Sequence, residues 1–318
     1  MAPSEPVRET FQVRAMRVGA RNIHLFELYP ENGAALPEVA PGSHIDLVLP
    51  DGQIRQYSLI TPLCSSKRYV IGVKKEAAGR GGSRWLHDDL RLGQSLAVGG
   101  CRNSFPLDEF DVPYTLFAGG IGITPIYSMY RELKRLGKKV HLHYWGESID
   151  SMLFHDELAA EPGVTLYPKQ DSAARPRLKE VVQSLETGSC VYCCGPGQMI
   201  EELVESTEAC GLTRVYYEYF GKAPVADGDG EALQIVLAKS GQVIEVAGDE
   251  SILDALIRND VDVMYSCEQG ICGACETRVL EGSPVHLDSV KDVAEHNSDR
   301  TMMICCSRAG TERLVLDL

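Results

Sequence analysis

Over residues 8–108 the apolar positions alternate with polar ones or gather into short β-branched and aromatic runs. FQVRAMRVGA, IHLFELYP, SHIDLVLP, RQYSLITP and RYVIGVKKEA are each bounded by Pro, Gly or Ser. Such runs predict short strands, and their spacing predicts a small antiparallel barrel. From Tyr114 the period changes. TLFAGG predicts a buried strand, and Thr124 is placed to cap a helix with Pro125 at its first position. IYSMYRELKRLG then carries a helical apolar period to a Gly stop. VHLHYWG, VTLYP, SCVYCCGP and VYYEYF predict further strands, with SMLFHDELAAE and QMIEELVESTEACG helical among them. Strands alternating with helices predict a parallel, doubly wound sheet.

GKAPVADGDGE, residues 221–231, is rich in Gly, Pro and Asp and predicts a linker. After it LQIVLAKSGQVIEVA predicts a hairpin, SILDALIRND a short helix, and LVLDL a final strand. The chain thus divides into residues 1–108, 109–222, a linker at 223–231, and 232–318. Charge supports the last boundary. The whole chain carries −14, whereas residues 231–318 hold 16 Asp plus Glu against 7 Lys plus Arg, a balance of −9. A step of this kind marks a separate module.

Composition narrows the function. With 318 residues, 44% apolar and 24% charged, the chain is long enough for two or three ordinary domains. The acidic balance argues against nucleic acid, whose phosphates need a basic surface. No apolar run reaches the roughly 18 residues of a membrane span, and MAPSEPVRET lacks the apolar core of a signal peptide. A cytoplasmic, monomeric protein is expected. Its 11 cysteines are then expected as thiols or metal ligands, not disulfides.

The most specific chemistry is CEQGICGAC. Cys267, Cys272 and Cys275 follow C-x4-C-x2-C, and 29 residues separate Cys275 from Cys305. This is the plant-type ferredoxin spacing for a 2Fe-2S cluster. Gly270 and Gly273 let the backbone wrap closely. Zinc is the rival, but its paired C-x2-C units are not complete here; free buried thiols are the bland alternative. Cys305 and Cys306 share MMICCSR, which predicts a strand. Successive side chains on a strand point to opposite faces, so only one of the two can face the cluster; the gap after Cys275 selects Cys305, and Cys306 is then expected to face away as a small hydrophobe. No C-x-H or E-x-x-H motif offers a Rieske or di-iron site.

GGIGITP, residues 119–125, joins a strand to a helix, and CCGP, residues 193–196, ends a later strand. Both suit a pyrophosphate at a helix N-terminus, and both could equally serve packing. In RQYS, Arg55 offers a forked phosphate donor and Tyr57 a flat face. GRGGS offers backbone N–H groups and the Ser83 hydroxyl ahead of a helix. His141 and His143 alternate on a strand and are expected to be structural, and Trp85 and Trp145 to pack. Glu147 and Asp150 in GESID are acids that follow a strand of this segment, where an acid can bond ribose hydroxyls and would repel a 2′-phosphate.

Taken in order, RQYS, GRGGS, GGIGITP, CCGP, EYFG and CEQGICGAC with Cys305 resemble the phthalate dioxygenase reductase family, which includes the vanillate O-demethylase reductases. The resemblance runs from Val7 to Leu318. It implies a multidomain fold: an antiparallel β-barrel flavin domain, an α/β doubly wound NADH domain and an α+β plant-type ferredoxin domain. By motif, Arg55, Tyr57 and Ser58 would hold FMN, with Gly81, Gly82 and Ser83 on its phosphate and Lys74 nearby. Gly120, Thr124, Cys194, Gly195 and Pro196 would line the NADH site, and Phe220 and Glu218 would lie by the flavin ring. FAD is the alternative flavin. The implied activity is electron transfer from NADH to a Rieske-type oxygenase acting on an aromatic compound, with no general acid or base required. A di-iron or cytochrome P450 hydroxylase as acceptor, or a redox sensor without turnover, are the rival readings.

Overall fold

The structure is a computed structural model that describes residues 8–77, 81–169, 176–220, 232–248, 250–265, 268, 270, 273–288, 290–291, 295 and 298–318. It forms two compact units, Met1–Phe220 and Gly221–Leu318. The expected linker at 223–231 lies outside the described residues.

The first unit opens with β1 (Glu9–Ala20), β2 (Ile23–Pro30), β3 (Ser43–Val48), β4 (Ile54–Ser58) and β5 (Tyr69–Lys74). Helix α1 (Gly82–Asp88), β6 (Ser95–Val98) and β7 (Arg102–Asn103) follow. The strands pair antiparallel in the order β4-β3-β6-β1-β2-β5, with β7 beside β3. Just after β4 the sheet curls closed: Leu59 bridges Ile71, and the Ile60 N–H donates to Val70 O at 2.9 Å. Alternation puts Phe11, Val13, Phe26, Leu28, Ile45 and Leu47 inside. Helix α1 closes one end, with Leu86 buried and its His87 ring stacked 4.1 Å from His24.

The same unit continues with β8 (Tyr114–Gly119), α2 (Ile123–Arg135), β9 (Val140–Gly146), α3 (His155–Ala159), β10 (Val164–Pro168), α4 (Leu178–Val182), β11 (Cys190–Gly195), α5 (Gly197–Ala209) and β12 (Arg214–Tyr219). The strands are all parallel, in the order β10-β9-β8-β11-β12. Successive crossovers run outward from β8 to one side and then from β11 to the other. The switch point, where such sheets bind ligands, therefore lies between β8 and β11.

Three local expectations change. Thr124 does not cap α2. A 3-10 turn over Gly120–Gly122 leads into the helix at Ile123, and Thr124 is its second residue, its hydroxyl donating to Ile121 O at 3.1 Å. Helix α3 is only five residues, because Phe154 takes φ 64° and breaks the run SMLFHDELAAE. Helix α4, five residues long, is too short to show an apolar period and was not expected.

The second unit holds β13 (Leu233–Leu237), β14 (Val243–Val246), α6 (Ile252–Arg258), β15 (Glu276–Glu281), β16 (Pro284–Val285), β17 (Thr301–Met303), β18 (Arg308–Ala309) and β19 (Arg313–Leu316). Its mixed sheet runs β14-β13-β19-β15-β17, with β13 and β19 parallel. The predicted hairpin is β13–β14. Helix α6 is capped by Ser251, whose Oγ accepts from the Asp254 N–H. MMICCSR is not one strand. β17 stops at Met303, and its carbonyl accepts from Cys306 N at 3.2 Å and Ser307 N at 2.9 Å, so Cys305 and Cys306 lie in a turn.

On one face of the parallel sheet His143 stacks between His141, Phe117 and Tyr167, with Nδ1 2.9 Å from the Tyr167 hydroxyl. Both histidines are packing residues, as expected. Burial first, and the neighbouring His141 second, push the His143 pKa down to about 4. The unfolded chain takes up this proton near pH 6.5, the folded chain only near 4. The stability the neutral ring provides is therefore present above pH ~6.5 and is lost as pH falls from there toward 4. Urea titrations at pH ~7 and ~5 should show His143→Phe losing less stability on acidification than the wild type.

Candidate functional site

The carboxyl ends of β8 and β11 are held together by glycine. In the parallel register Cys194 lies opposite Ala118, which brings Gly195 beside Gly119. A Cβ on Gly195 would come within 3.2 Å of Gly119 Cα, and one on Gly119 within 2.7 Å of Pro196 Cδ and Met199 Sδ. A Cβ on Gly122 would lie 2.3 Å from Cys194 O. GGIGITP and CCGP, far apart in sequence, thus form one surface. Gly120, at φ 55°, makes the left-handed turn that starts it.

This surface forms the floor of a cleft of about 490 Å³. Gly119, Gly120 and Pro196 line it, as do Trp145 and Glu147 from the end of β9, Arg177 from the start of α4, and Lys74 from β5 of the barrel. Of the expected nucleotide residues, Gly120 and Pro196 face the opening. Thr124 and Cys194, at 1% and 0% exposure, are buried, and Gly195 packs on Gly119. Cys194 Sγ lies 4.0 Å from Glu218 Oε2. Burial pushes its thiol well up, and the Glu218 charge adds to this, so Cys194 is a neutral thiol.

The two acids of GESID separate. Glu147 stays at the cleft and pairs with Lys169 at 3.3 Å. Asp150 instead pairs with Arg21 of the barrel at 3.2 Å, which corrects its expected place at a ribose. Trp145 and Arg177 were not foreseen at the cleft. Trp145 was legible in principle, since it pairs with Gly119 at the carboxyl edge of the sheet. Arg177 was not, because no strand or helix pattern precedes it.

RQYS and GRGGS also meet. β4 pairs with β3, setting Tyr57 opposite Ile45 and Arg55 opposite Leu47. A Cβ on Gly82 would lie 3.2 Å from Arg55 Cγ and Nε and 2.8 Å from Leu49 Cδ1. Arg55 therefore crosses bare backbone at the start of α1, while Gly81 takes φ 92°. The Ser83 hydroxyl accepts from Glu76 N at 3.0 Å, and Lys74 pairs with Glu76 at 2.6 Å. Gly79 and Arg80 lie outside the described residues. A guanidinium, a side-chain-free backbone and a hydroxyl on one short helix make a donor set that suits a phosphate. Ser58 is buried, and burial keeps the Tyr57 phenol protonated far above neutrality despite the opposing Arg55 charge. Phe220 is half-buried, and its N–H donates to Gly195 O at 3.2 Å.

Of the cysteine loop, Cys267 and Cys272 lie outside the described residues. Cys275 and Cys305 are buried at 3% and 5% in one apolar cluster. Gly270 and Gly273 take φ 70° and 75°, so the loop needs glycine at both. A Cβ on Gly270 would lie 2.5 Å from Cys306 Sγ. Cys306 therefore packs against the loop and does not face away from it.

Residues 235–310 match the family of 2Fe-2S iron-sulfur cluster binding domains. Tetrachlorobenzoquinone reductase of Sphingobium chlorophenolicum is 41% identical over 306 residues, 94% of each chain. Phenoxybenzoate dioxygenase subunit beta of Ectopseudomonas oleovorans is 42% identical over 313 residues, 97% of each chain. The solved structure of phthalate dioxygenase reductase, described as a modular structure for electron transfer from pyridine nucleotides to a 2Fe-2S centre, is 33% identical with a TM-score of 0.72, over 98% of both chains. A similar likeness, 36% identity and a TM-score of 0.74, extends to an intact type IV self-sufficient cytochrome P450 monooxygenase, of which this chain spans 41%.

The glycine contacts carry a prediction of their own. Gly122→Ala would drive a methyl into the Cys194 carbonyl and should cost more than about 2 kcal/mol. Gly137→Ala meets open space at φ 70°, so only backbone strain opposes it, about 1 kcal/mol. Thermal melts of the two variants check the order.

Proposed function

The chain belongs to the phthalate dioxygenase reductase family, and on that premise we propose that it carries electrons from NADH through FMN and a 2Fe-2S cluster to a separate Rieske-type oxygenase that acts on aromatic compounds. The observation that carries the reading is the presence of two sites in one unit: the Gly119–Gly195 cleft, lined also by Lys74 of the barrel strand β5, and the Arg55–Gly82 contact within the barrel. NADH supplies two electrons as a hydride, a flavin can take both and release them singly, and a 2Fe-2S cluster carries one at a time.

The protein's own part is to hold and align these groups. Arg55, Gly81, Gly82 and Ser83 bind the FMN phosphate, and Tyr57 and Ser58 bound the ring. Gly120, Pro196 and the Gly195–Gly119 contact seat the nucleotide pyrophosphate, with Thr124 and Cys194 fixing the floor from behind. Glu218, near the end of β12, and Phe220, just after it, lie beside that floor, where they limit water at the transfer point. Cys267, Cys272, Cys275 and Cys305 hold the cluster. The acidic C-terminal module meets a basic face of the oxygenase, an attraction that speeds encounter and weakens with salt. No helix among the described residues is long and apolar enough to cross a membrane, and the protein works as a cytoplasmic monomer.

A P450 acceptor is the second reading, favoured by the likeness to part of a self-sufficient P450 chain. To separate the two, the purified holoprotein is mixed anaerobically with NADH. Flavin bleaching followed by reduction of the iron-sulfur absorbance supports the electron path. Transfer is then compared between a purified Rieske oxygenase, a P450 and a chlorinated quinone. Transfer to the P450 or the quinone alone would overturn the oxygenase assignment.

NADH should be preferred over NADPH by at least about tenfold in kcat/KM, a difference of about 1.4 kcal/mol. The acid responsible is Glu147, and Glu147→Gln should narrow the ratio of the two kcat/KM values. Equal ratios in wild type and variant would reject Glu147 as the selector.

Cys305→Ala should lose the visible absorbance of the cluster, since iron is left one thiolate short. Cys306→Ala should keep it and lose only packing against Gly270, about 1 kcal/mol. The reverse pattern would exchange the two assignments.

A further inference from the structure

One segment of the nucleotide sheet leaves the cleft and attaches to the barrel. Gly146 and Glu147 line the cleft at the end of β9, and the chain then runs as a strap through Ser148–Phe154. Arg21, in the tight turn between β1 and β2, grips it. Its Nη2 donates to Ser148 Oγ at 2.7 Å, its Nε lies 3.2 Å from Asp150 Oδ2, and its backbone N–H donates to Asp150 O at 2.7 Å. Ser148 also bonds the Asp150 carboxylate, and a reciprocal Ser148–Ser151 capping box stiffens the turn.

The strap is seated as well as gripped. Leu153, 1% exposed, fills the space over two barrel glycines: a Cβ on Gly19 would lie 2.6 Å from its Cδ1, and one on Gly72 would lie 3.5 Å from its Cδ2. Met152 packs back on Gly146 in the same way, with its Cγ 2.3 Å from the position of a Cβ there. Phe154, held at φ 64°, returns the chain to α2 by stacking 4.2 Å from Tyr127.

We propose that Arg21 is a positioning residue for hydride transfer, which acts by locking this strap and so fixing the Gly146–Glu147 wall of the cleft against the barrel. The inference rests on the reading of the cleft as the NADH site and of the barrel as the flavin site. The two reacting groups then sit on different domains, and their distance depends on contacts that join the domains. Arg21 and Asp150 are half-exposed, with side chains 50% and 63% accessible. Such a pair contributes little to stability. Its charge-assisted bonds act instead as a geometric constraint on a wall of the site, at Ser148 and Asp150, one and three positions after Glu147.

The test uses the full-length holoprotein and rapid mixing with NADH, following flavin absorbance. Misplacing reactants by about 1 Å can cost up to about a hundredfold in rate. Arg21→Ala should accordingly slow flavin reduction at saturating NADH by about ten- to a hundredfold, with flavin content and melting temperature near wild type. Arg21→Lys should recover much of the rate. Adding Asp150→Ala to Arg21→Ala should slow it no further, because the two act through one contact. An unchanged limiting rate in Arg21→Ala overturns the proposal, as does a loss that merely tracks lost flavin. Should Arg21→Ala shed flavin, Asp150→Asn decides, since it leaves the barrel untouched: a wild-type rate there overturns the proposal and a slowed one supports it. Failure of NADH to reduce wild-type flavin overturns both this inference and the functional reading beneath it, whereas an unchanged variant overturns the inference alone.

Discussion

At the carboxyl ends of β8 and β11 two backbones meet with no side chain between them, and the first unit is arranged around that contact. Gly119, Gly122 and Gly195 are not interchangeable with alanine there, because the atoms a methyl would strike are Cys194 carbonyl, Pro196 and Met199. Since the strands can close, α2 and α5 begin within a few residues of their ends. The free N–H groups at those helix starts, and the positive ends of the helix dipoles, are then directed toward the cleft. Close packing and the placement of these two helix starts are in this way consequences of one set of glycines.

The barrel is tied to this arrangement through α2. Ser128, fully buried on that helix, accepts from Thr61 N at 3.1 Å and offers its hydroxyl proton to Leu59 O at 3.3 Å or Thr124 O at 3.1 Å. Leu59 directly follows β4, the strand that carries Arg55 and Tyr57. Gly72 of β5 sits between Thr124 Cγ2 and Leu153, at 3.0 and 3.5 Å from where its Cβ would be. The strand beside one site thus packs on the helix that opens the other.

Much of this was legible in the chain itself. Two-residue alternation and short β-branched runs marked the barrel strands, strands alternating with helices the parallel sheet, and cysteine spacing the iron-sulfur module, because each is a pattern along the chain with a direct physical cause. What stayed hidden depends on contacts between distant segments. Asp150 reads as a ribose ligand from its place after a strand, and only the approach of Arg21, 129 positions earlier, gives it another task. Thr124 reads as a helix cap, but a Gly-rich 3-10 turn extends the helix past it. The strand reading of MMICCSR failed because the Met303 carbonyl accepts two turn hydrogen bonds, which ends alternation before Cys305.

The barrel's seam has a consequence for its dynamics. β1 and β2 are joined by a long ladder, whereas β4 and β5 close only by the bridge at Leu59 and Ile71 and the neighbouring Ile60–Val70 bond. A joint of few hydrogen bonds opens at lower free energy than a continuous ladder, so amide deuteration reaches Ile60 before it reaches the middle of β2. Because β4 borders the seam, the motion that exposes Ile60 also loosens Tyr57 and Ser58. A molecule held by those residues binds only the closed form, so it slows deuteration at the seam in proportion to its own occupancy.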